Sequence, residues 1–517
     1  MKKLCFLSLD EKSYFVPGPQ RGAIYDLKQN VLYALDENLA SLFSWSLKGL
    51  PYQSALKKLK NGKNVSLVIG EALKNLPFVR FRDNFNPVPS IDEILLKRNQ
   101  DRQGVWLDIT QGCNLRCVHC YARAGKPLKN ELSLKEWMGV VDQLFENGFK
   151  HITLGGGEPF FWPDIRSLLA YIVKKKPAEL IVLTNATLLS DEILDFLSAH
   201  PITLNMTIYS HLPEHHDRIS KIRGSWRKTV AGIKGVVKRD ISYNINIPIG
   251  AYNQNDLDKT IDFLTQIGVK KELLGGNIVY PLGRGRGCAN LPDNATKFNI
   301  KRERYQLPQT EEGRLLFQTC WCGKLLITPQ GEVSPCPSAR EQKFFVGNIR
   351  KTPLKKILAE KALHDLWGLT LDDVPACREC EFHFACHDCR ANAYVYSGNL
   401  VEKNPYCLYE PKKGTWMKAG DKNLDHIKKG YWIKSKNYKT HTIEKDLAIL
   451  NEETNAIYIL NQVGAEIYSL LDGKHSFDEI VAYILQRYEA DEEKVKSDAL
   501  NVLQELHELG IIADAHK

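Results

Sequence analysis

Three closely spaced cysteines are the residues of this chain best suited to hold an inorganic cluster. Cys113, Cys117 and Cys120 follow the pattern C-x3-C-x2-C. A 4Fe–4S cluster normally takes four cysteine thiolates. Three thiolates in one loop leave one iron without a protein ligand, and an open iron can bind a reactant. A structural zinc site is the alternative, because His119 or a distant cysteine could supply the fourth ligand that zinc requires.

A glycine-rich segment, GGGEP at 155–159, is the second feature with chemical potential. It follows an apolar run predicted as a strand at 151–154, just as the cysteines follow one at 105–110. Glycines let a ligand approach the backbone closely. Two such loops, each at the C-terminal end of a strand, suit a β/α barrel.

The elements that position these loops alternate in type along the chain. Further strands are predicted at 181–184, 202–209, 241–249 and 277–281, with helical patterns such as 134–148 and 191–200 between strands. Alternation of strand and helix indicates parallel βαβ units. The fold class is therefore α/β, with six units in an open, partial (β/α)6 barrel. GRGRG at 283–287 lacks the lysine and helix start of a phosphate loop and is predicted to be a solvated turn.

Together the two motifs resemble those of the radical S-adenosylmethionine (radical SAM) superfamily over residues 100–310. The resemblance implies that Cys113, Cys117 and Cys120 hold a 4Fe–4S cluster whose open iron binds SAM. It also implies cleavage of SAM to a 5′-deoxyadenosyl radical. The implied SAM contacts are Gly156, Gly157, Glu158 and Pro159, with Asn185 and Thr207 as further candidates. The polar residues near Asn185 could equally be helix caps, Ser190 above all.

A second group of eight cysteines occupies residues 320–407, at positions 320, 322, 336, 377, 380, 386, 389 and 407. No signal peptide is predicted, because the apolar run near the N-terminus stops after five residues. Reduced thiols that bind metal are therefore expected rather than disulfides. The spacing alone also allows two zinc ribbons.

This second group resembles the SPASM domain, which follows the barrel in radical SAM enzymes that modify peptides and related substrates. Ten residues separate Cys320 from Gly331, as the family pattern requires, whereas Cys322 lies too close and is an additional candidate ligand. The resemblance implies two auxiliary 4Fe–4S clusters, one on Cys377, Cys380, Cys386 and Cys407, the other on Cys320, Cys336 and Cys389, with Cys322 as its additional candidate ligand. The interval before Cys389 is two residues where the family has three.

The two remaining cysteines stand alone in the sequence. Cys5 and Cys288 belong to neither group. A lone cysteine is more often a small buried apolar residue than a ligand, and both are interpreted in that way.

Both ends of the chain show the same order of predicted elements: strand, turn, strand, apolar helix and further helices. The turns lie at 28–30 and 451–455, and a third helix is predicted at 65–76 near the N-terminus and at 491–509 near the C-terminus. The C-terminal copy resembles PqqD-like domains, which are winged-helix-like modules. That resemblance implies binding of a leader peptide as an added strand. A pair of packing modules or dimer contacts is the alternative.

Length and composition agree with a multidomain globular protein of 517 residues, with 43% hydrophobic and 25% charged residues. The predicted domains are a PqqD-like module at 1–95, a radical SAM core at 100–310, a SPASM domain at 311–412 and a PqqD-like domain at 430–517. No apolar run is long enough to span a membrane, so a cytoplasmic location is expected. Ten lysines against four acidic residues at 412–446 could attract an acidic partner. A solvated linker is favoured, because no nucleic-acid-binding motif accompanies them.

The expected activity is radical modification of a ribosomally made precursor peptide, giving a thioether or carbon–carbon cross-link or an epimerised residue. The expected partners are that peptide and a small redox donor such as flavodoxin or ferredoxin. No catalytic residue identifies itself, although Cys288 and Cys322 are testable hydrogen donors. A tetrapyrrole, haem-precursor or sulfatase-type substrate is one alternative. A non-catalytic iron–sulfur scaffold or electron carrier is another.

Overall fold

The computed structural model describes most of the chain. The described residues are 5–29, 31–59, 73, 76, 78–85, 104–292, 320–386, 388–407, 409–416, 431–435, 438–443, 446–451, 457–508 and 511–515. Most of the predicted helix at 65–76, residues 452–455 of the predicted turn at 451–455 and residues 417–430 of the lysine-rich stretch lie outside them.

A sheet with six consecutive parallel strands forms the centre of the molecule. Its order is β11-β10-β9-β8-β7-β6-β12-β13-β14, so strands that follow one another from β6 to β11 are neighbours. The six strands are β6 Gly104–Thr110, β7 His151–Gly156, β8 Glu179–Thr184, β9 Thr203–Thr207, β10 Tyr243–Ile249 and β11 Leu274–Ile278. This arrangement confirms the predicted α/β class and the six-unit open barrel. The last strand lies three residues before the predicted 277–281.

Helices connect these strands. They are α3 Leu134–Glu146, α4 Ile165–Lys174, α5 Asp191–Ser198, α6 Pro213–Ser220, α7 Ser225–Lys238 and α8 Leu257–Gln266. Ser133 begins α3 with a capping box, since its hydroxyl accepts from the backbone of Glu136 and the Glu136 carboxylate accepts in return. Ser190 caps α5, as its position in the sequence predicted. One apolar core, which includes Leu107, Trp137 and Leu154, joins the helices to the sheet.

The cysteine-rich segment extends the same sheet. Strands β12 Lys324–Ile327, β13 Glu332–Ser334 and β14 Gly347–Asn348 follow β6 in the sheet order. β12 is parallel to β6, and Leu325 is opposite Val105. Three short helices complete this segment, at α9 Leu354–Ile357, α10 Lys361–Trp367 and α11 Arg390–Ser397. No pattern in the sequence indicated this shared sheet, which places residues 320–390 beside the first barrel strand.

Among its described residues, the N-terminal module contains a three-stranded sheet and two helices. The sheet has the order β2-β3-β4, and a separate pair joins β1 to β5. The elements are β1 Phe6–Leu9, β2 Ser13–Pro17, β3 Gly22–Asp26, β4 Val31–Leu35, β5 Val79–Arg82, α1 Glu37–Ser46 and α2 Tyr52–Lys57. The predicted two-stranded hairpin was therefore incomplete, because β2 adds a third strand.

The C-terminal module repeats that plan. Its sheet has the order β18-β19-β20, three helices pack with it, and β17 pairs with the final strand β21. The elements are β17 Trp432–Lys434, β18 Tyr438–Ile443, β19 Asp446–Asn451, β20 Ile457–Leu460, α12 Gln462–Ser469, α13 Phe477–Arg487, α14 Glu492–Glu508 and β21 Ile512–Asp514. Here too the predicted hairpin was incomplete, because β18 adds a third strand. A short pair, β15 Tyr409–Glu410 and β16 Thr415–Trp416, precedes the module.

In the described parts of the chain, every helix is too short or too polar to cross a membrane.

Candidate functional site

A cavity of about 590 Å³ opens where the loops after β6, β7, β8 and β9 meet. Eight of the nine predicted barrel-site residues line it: Cys113, Cys117, Cys120, Gly156, Gly157, Glu158, Asn185 and Thr207. Pro159 lies beside them and begins a 3₁₀ turn, Pro159–Phe161. The fold thus brings together residues that are up to 94 positions apart, the separation of Cys113 from Thr207.

The three cysteines lie together in an environment that suits coordinated thiolates. Burial raises the pKa of Cys113 to about 11 and of Cys117 to about 12, and the neighbouring cysteines add to both shifts. Opposing groups are present: the hydroxyl of Tyr209 donates to Sγ of Cys117 over 3.1 Å, and the charge of Arg284 lowers both pKa values. A cluster with positive iron would stabilise the thiolates that burial disfavours. The donor set therefore fits a 4Fe–4S cluster with one iron open to the cavity.

The glycine-rich turn packs directly against the cysteine loop. A Cβ on Gly157 would lie 1.9 Å from the carbonyl oxygen of Gly112, so no side chain fits there. Gly156 has φ of +102°, which favours glycine. These glycines allow the backbone after β7 to approach the backbone after β6.

Glu158 connects the ends of β7 and β8. Its carboxylate accepts hydrogen bonds of 2.8 Å from the hydroxyl of Thr184 and from the backbone N–H of Asn185. Burial raises the pKa of Glu158 to about 7, against the effect of these hydrogen bonds. The predicted SAM contact thus also has a positioning role within the protein.

The two weaker candidates differ in their surroundings. Asn185 donates from its side-chain amide to Oδ1 of Asn114 over 3.0 Å, and Asn114 donates to the hydroxyl of Thr187 over 2.7 Å. This network attaches the loop after β8 to the cysteine loop. Thr207 lies at the end of β9 with its side chain toward the cavity. Contact of either residue with SAM remains a prediction.

The prediction of a solvated turn at 283–287 was wrong for its first half. The backbone N–H of Arg284 donates to the carbonyl of Cys120 over 3.0 Å. Its guanidinium donates to the carbonyls of Cys117 and Ala124 over 2.9 and 2.7 Å. Gly283 has φ of +56°, and a Cβ there would lie 2.2 Å from the carbonyl oxygen of Tyr121. The segment therefore holds the cysteine loop in place.

A buried ion pair joins the barrel to the cysteine-rich segment, and the sequence analysis did not identify it. The guanidinium of Arg340 contacts the carboxylate of Asp108, which is wholly buried in β6. Arg340 also lies 5.1 Å from the ring centre of Tyr121, beside Cys120. An aspartate inside the apolar run VWLDIT was the available signal, because a buried carboxylate requires a partner.

The second group of cysteines, at 320–407, separates into two neighbourhoods. Burial raises the pKa of Cys377, Cys380 and Cys386, and the charge of Cys407 adds to all three shifts. In the other neighbourhood, burial raises the pKa of Cys320, and Cys336 and Cys389 add to that shift. Cys322 is buried, which raises its pKa, and Lys324 opposes that shift. These neighbourhoods match the predicted ligand sets in composition, while ligation by each residue remains a prediction.

The lone cysteines Cys5 and Cys288 are both partly buried.

Within the described residues, no three metal-ligating side chains converge as ligands of a single metal ion would.

The N-terminal module packs directly on the cysteine-rich segment. Tyr14, Tyr25 and other side chains of β2–β4 form one apolar cluster with Phe382, Phe384 and Tyr409, and Cys380 and Cys407 lie against it. The hydroxyl of Tyr25 donates to the carbonyl of Glu381 over 2.8 Å, and the hydroxyl of Tyr409 donates to the Glu381 carboxylate. This module therefore covers one side of the predicted auxiliary site.

Three family profiles match successive parts of the chain. The radical SAM superfamily matches residues 107–264, an iron–sulfur cluster-binding domain (SPASM) matches 320–390, and coenzyme PQQ synthesis protein D (PqqD) matches 446–512. The second match favours iron–sulfur clusters over zinc ribbons at 320–390. Cys407 lies beyond that match.

Individual relatives are distant. An AdoMet-dependent heme synthase of Methanosarcina barkeri is 25% identical and covers 61% of this chain and 98% of its own length. The antilisterial bacteriocin subtilosin biosynthesis protein AlbA of Bacillus subtilis is 27% identical, over 50% of this chain and 60% of its own. The crystal structure of Streptococcus suis SuiB bound to precursor peptide SuiA is 16% identical, with a TM-score of 0.49, over 78% of this chain and all of its own.

Proposed function

We propose that this chain, which is a radical SAM enzyme with SPASM and PqqD domains, modifies a ribosomally made precursor peptide. The observation that carries the proposal is the PqqD domain at 446–512 on the same chain as the barrel. A small-molecule substrate needs no separate recognition domain, whereas a peptide can bind at a distance from the reacting residue. Similarity to AlbA, whose name refers to bacteriocin biosynthesis, points to the same substrate class.

In the barrel, Cys113, Cys117 and Cys120 would hold a 4Fe–4S cluster, with SAM against Gly156 and Gly157. When bound, this cluster and SAM supply a 5′-deoxyadenosyl radical that can abstract hydrogen from a substrate. The protein's own contribution is position and electrostatics. Arg284 fixes the backbone of the cysteine loop, Tyr209 donates to Cys117, and Glu158 holds the loops after β7 and β8 together.

The leader would bind at the edge of the C-terminal sheet. Among the described residues, β20 pairs with β19 and ends the sheet on that side. An extended peptide can add to such an edge through backbone hydrogen bonds. Strand β4 of the N-terminal sheet comes within 8 Å of β20, measured between Cα atoms. A strand added between them would need about 9.6 Å, so a leader at this edge would have to displace β4 where the two strands approach.

The cysteine-rich segment would hold two auxiliary clusters close to the reaction site. The proposed ligands are Cys377, Cys380, Cys386 and Cys407 for one cluster and Cys320, Cys336 and Cys389, with Cys322 in addition, for the other. Ser338, two residues after Cys336, lines the barrel cavity. The segment thus reaches the space in which a substrate would lie. A flavodoxin or ferredoxin in the cytoplasm would reduce the enzyme.

Mass spectrometry tests the proposal. The anaerobically reconstituted enzyme is incubated with SAM, a reductant and each peptide encoded by a short reading frame beside its gene. A cross-link appears as the loss of two hydrogen atoms, and epimerisation in D₂O as the gain of one deuterium. We expect one such peptide to change with the wild type and to stay unchanged with Cys117→Ala. If no such peptide changes while a tetrapyrrole does, the proposal fails.

A tetrapyrrole substrate is the second candidate. Its support is the match to the M. barkeri heme synthase over 98% of that relative's length. That match covers 61% of this chain, and a peptide substrate with a leader accounts better for the terminal modules.

A further inference from the structure

Asparagine side chains form a polar wall on one side of the barrel cavity. Asn205 on β9, Asn244 and Asn246 on β10 and Asn277 on β11 line it. Asn244 is directly opposite Asn205 in the pairing of β9 with β10. The amide of Asn277 donates to Oδ1 of Asn246 over 2.5 Å. We refer to these four residues as the amide ladder.

Strand formation does not explain the amide ladder. Asparagine is depleted in β-strands, because its side chain favours turns. The alternate residues of the same strands, such as Leu204, Met206 and Ile247, are buried and form the core under the helices. The ladder residues face the other way, toward the cavity. Their position therefore suits contact with something that enters the cavity.

The ladder is adjacent to the proposed SAM site. In the sheet, β9 is next to β8, which ends beside Glu158 and Asn185. The cysteine and glycine loops follow β6 and β7, which lie on the other side of β8 from the ladder strands. A group bound on the ladder would thus lie next to SAM, because Thr207, a candidate SAM contact, is on β9 directly opposite Asn246.

The charge of the cavity restricts what the ladder can bind. No lysine or arginine lines the cavity in the described part of the chain, and Glu158 and Glu272 are its acidic side chains. A carboxylate brought into such a site would lose hydration without gaining a cation. A carboxylate held against the ladder itself is therefore disfavoured, whereas Arg123, Arg286 and Arg340 line an adjoining cavity.

We infer that the amide ladder binds the backbone amides of an uncharged segment of the precursor peptide, beside SAM. The inference rests on the proposed peptide-modifying function and narrows its substrate class. Each carboxamide offers two donors and an acceptor oxygen with two lone pairs. An extended peptide presents alternating N–H and C=O groups that need such partners when they leave water. A tetrapyrrole that carries several propionates would meet no cation on this wall.

The test uses the full-length reconstituted enzyme with SAM under anaerobic conditions. Short random peptides are selected by display against the wild type and resynthesised with deuterated residues. Deuterium in 5′-deoxyadenosine then reports that a peptide has reached the radical, which binding at a terminal module alone cannot produce. Coproporphyrin III, a tetracarboxylate, is supplied in deuterated form as the competing probe. Binding of each probe is also measured directly by equilibrium dialysis.

The matched variants are the double substitution Asn205→Leu with Asn244→Leu and the control Thr203→Val. Thr203 is on the same face of β9 as Asn205 but does not line the cavity. Iron content and the thermal midpoint show that each variant folds and carries its clusters. We expect peptides with an uncharged central segment to donate deuterium. The concentration for half-saturation should rise about tenfold or more in the double variant, as for two lost neutral hydrogen bonds, and stay unchanged in Thr203→Val.

Two results would overturn the inference in different ways. If peptides donate deuterium with the same half-saturation in the folded double variant, the ladder is not the contact, and the peptide-modifying function still stands. If no peptide donates deuterium and coproporphyrin III does, both the inference and the proposed function fail.

Discussion

The hydroxyl of Tyr209 donates a hydrogen bond to Sγ of Cys117 over 3.1 Å. Tyr209 follows β9, whereas Cys117 is in the loop after β6, so the bond joins the segments that follow two different barrel strands. The ring of Tyr209 also contacts His119, with ring centres 5.2 Å apart. Tyr209 therefore touches Cys117, a proposed cluster ligand, and His119, which precedes the next proposed ligand, Cys120.

Substitution Tyr209→Phe should lower the reduction potential of the barrel cluster. Hydrogen bonds to ligand sulfur stabilise the more negative, reduced state. Only the difference in bond strength between the two redox states counts, so a bond worth about 1 kcal/mol sets an upper limit of about 40 mV on the decrease for one electron. The measurement is a potentiometric titration followed by electron paramagnetic resonance. An unchanged potential would show that the bond does not persist when the cluster is bound.

Substitution Arg284→Met should loosen the cysteine loop, because it removes the donors to the carbonyls of Cys117 and Ala124. We expect the reconstituted protein to lose about four irons, those of one 4Fe–4S cluster. The control is Arg286→Met in the same turn, an exposed residue that contacts Glu341. Full iron content in Arg284→Met, or equal loss in the two variants, would contradict a specific role for Arg284.

Stability without SAM should depend on the protonation of Glu158. Its pKa is raised to about 7 by burial, whereas an unfolded glutamate has a pKa of about 4.3. The folded state therefore holds this proton more tightly. That stabilising contribution is full below the unfolded pKa and is lost as pH rises through about 7. The loss amounts to about 4 kcal/mol at 1.4 kcal/mol per pKa unit.

Thermal unfolding of the wild type and Glu158→Gln between pH 5 and 8 measures this contribution. The stability of the wild type should decline as pH rises, and Glu158→Gln should lack the part of that decline that comes from deprotonation of Glu158. The exposed Glu214→Gln serves as control and should decline like the wild type. If Glu158→Gln also declines like the wild type, the assigned protonation is wrong.

Substitution Tyr409→Phe should destabilise the contact between the N-terminal module and the cysteine-rich segment. It leaves the buried Glu381 carboxylate without the donor that Tyr409 provides. The expected cost is about 1–3 kcal/mol, the penalty for an unsatisfied buried polar group. Chemical denaturation measures it, with the half-exposed Tyr396→Phe as control. Equal stability of the two variants would argue against this contact as a stabilising feature.

The sequence predicted the barrel strands best where an apolar run ended at a chemical motif. β6 and β7 were placed within one or two residues, since VWLDIT and HITL are bounded by the cysteine and glycine loops. β11 was misplaced because Gly275 and Gly276 weaken the strand pattern. Its pairing with β10, in which Gly276 is opposite Ile247, decides where it lies. Local propensity cannot report such a pairing.

Contacts between distant segments account for most of what sequence reasoning missed. Arg284 was interpreted as solvated, yet its partners are more than 150 positions away. Asp108 and Arg340 are likewise 232 positions apart. The cysteines of each motif, by contrast, lie close together in the sequence. Their spacing therefore allowed the site residues to be named, whereas the contacts that support them could not be predicted.

The central claim is that Cys113, Cys117 and Cys120 hold the cluster at which SAM is cleaved, separately from the auxiliary cysteines. The most direct test measures iron, sulfide and 5′-deoxyadenosine in anaerobically reconstituted wild type and Cys117→Ala. We predict about twelve irons and 5′-deoxyadenosine formation in the wild type, as for three 4Fe–4S clusters. The variant should retain about eight irons and form none. Continued 5′-deoxyadenosine formation by Cys117→Ala would contradict the assignment of the cluster to these cysteines.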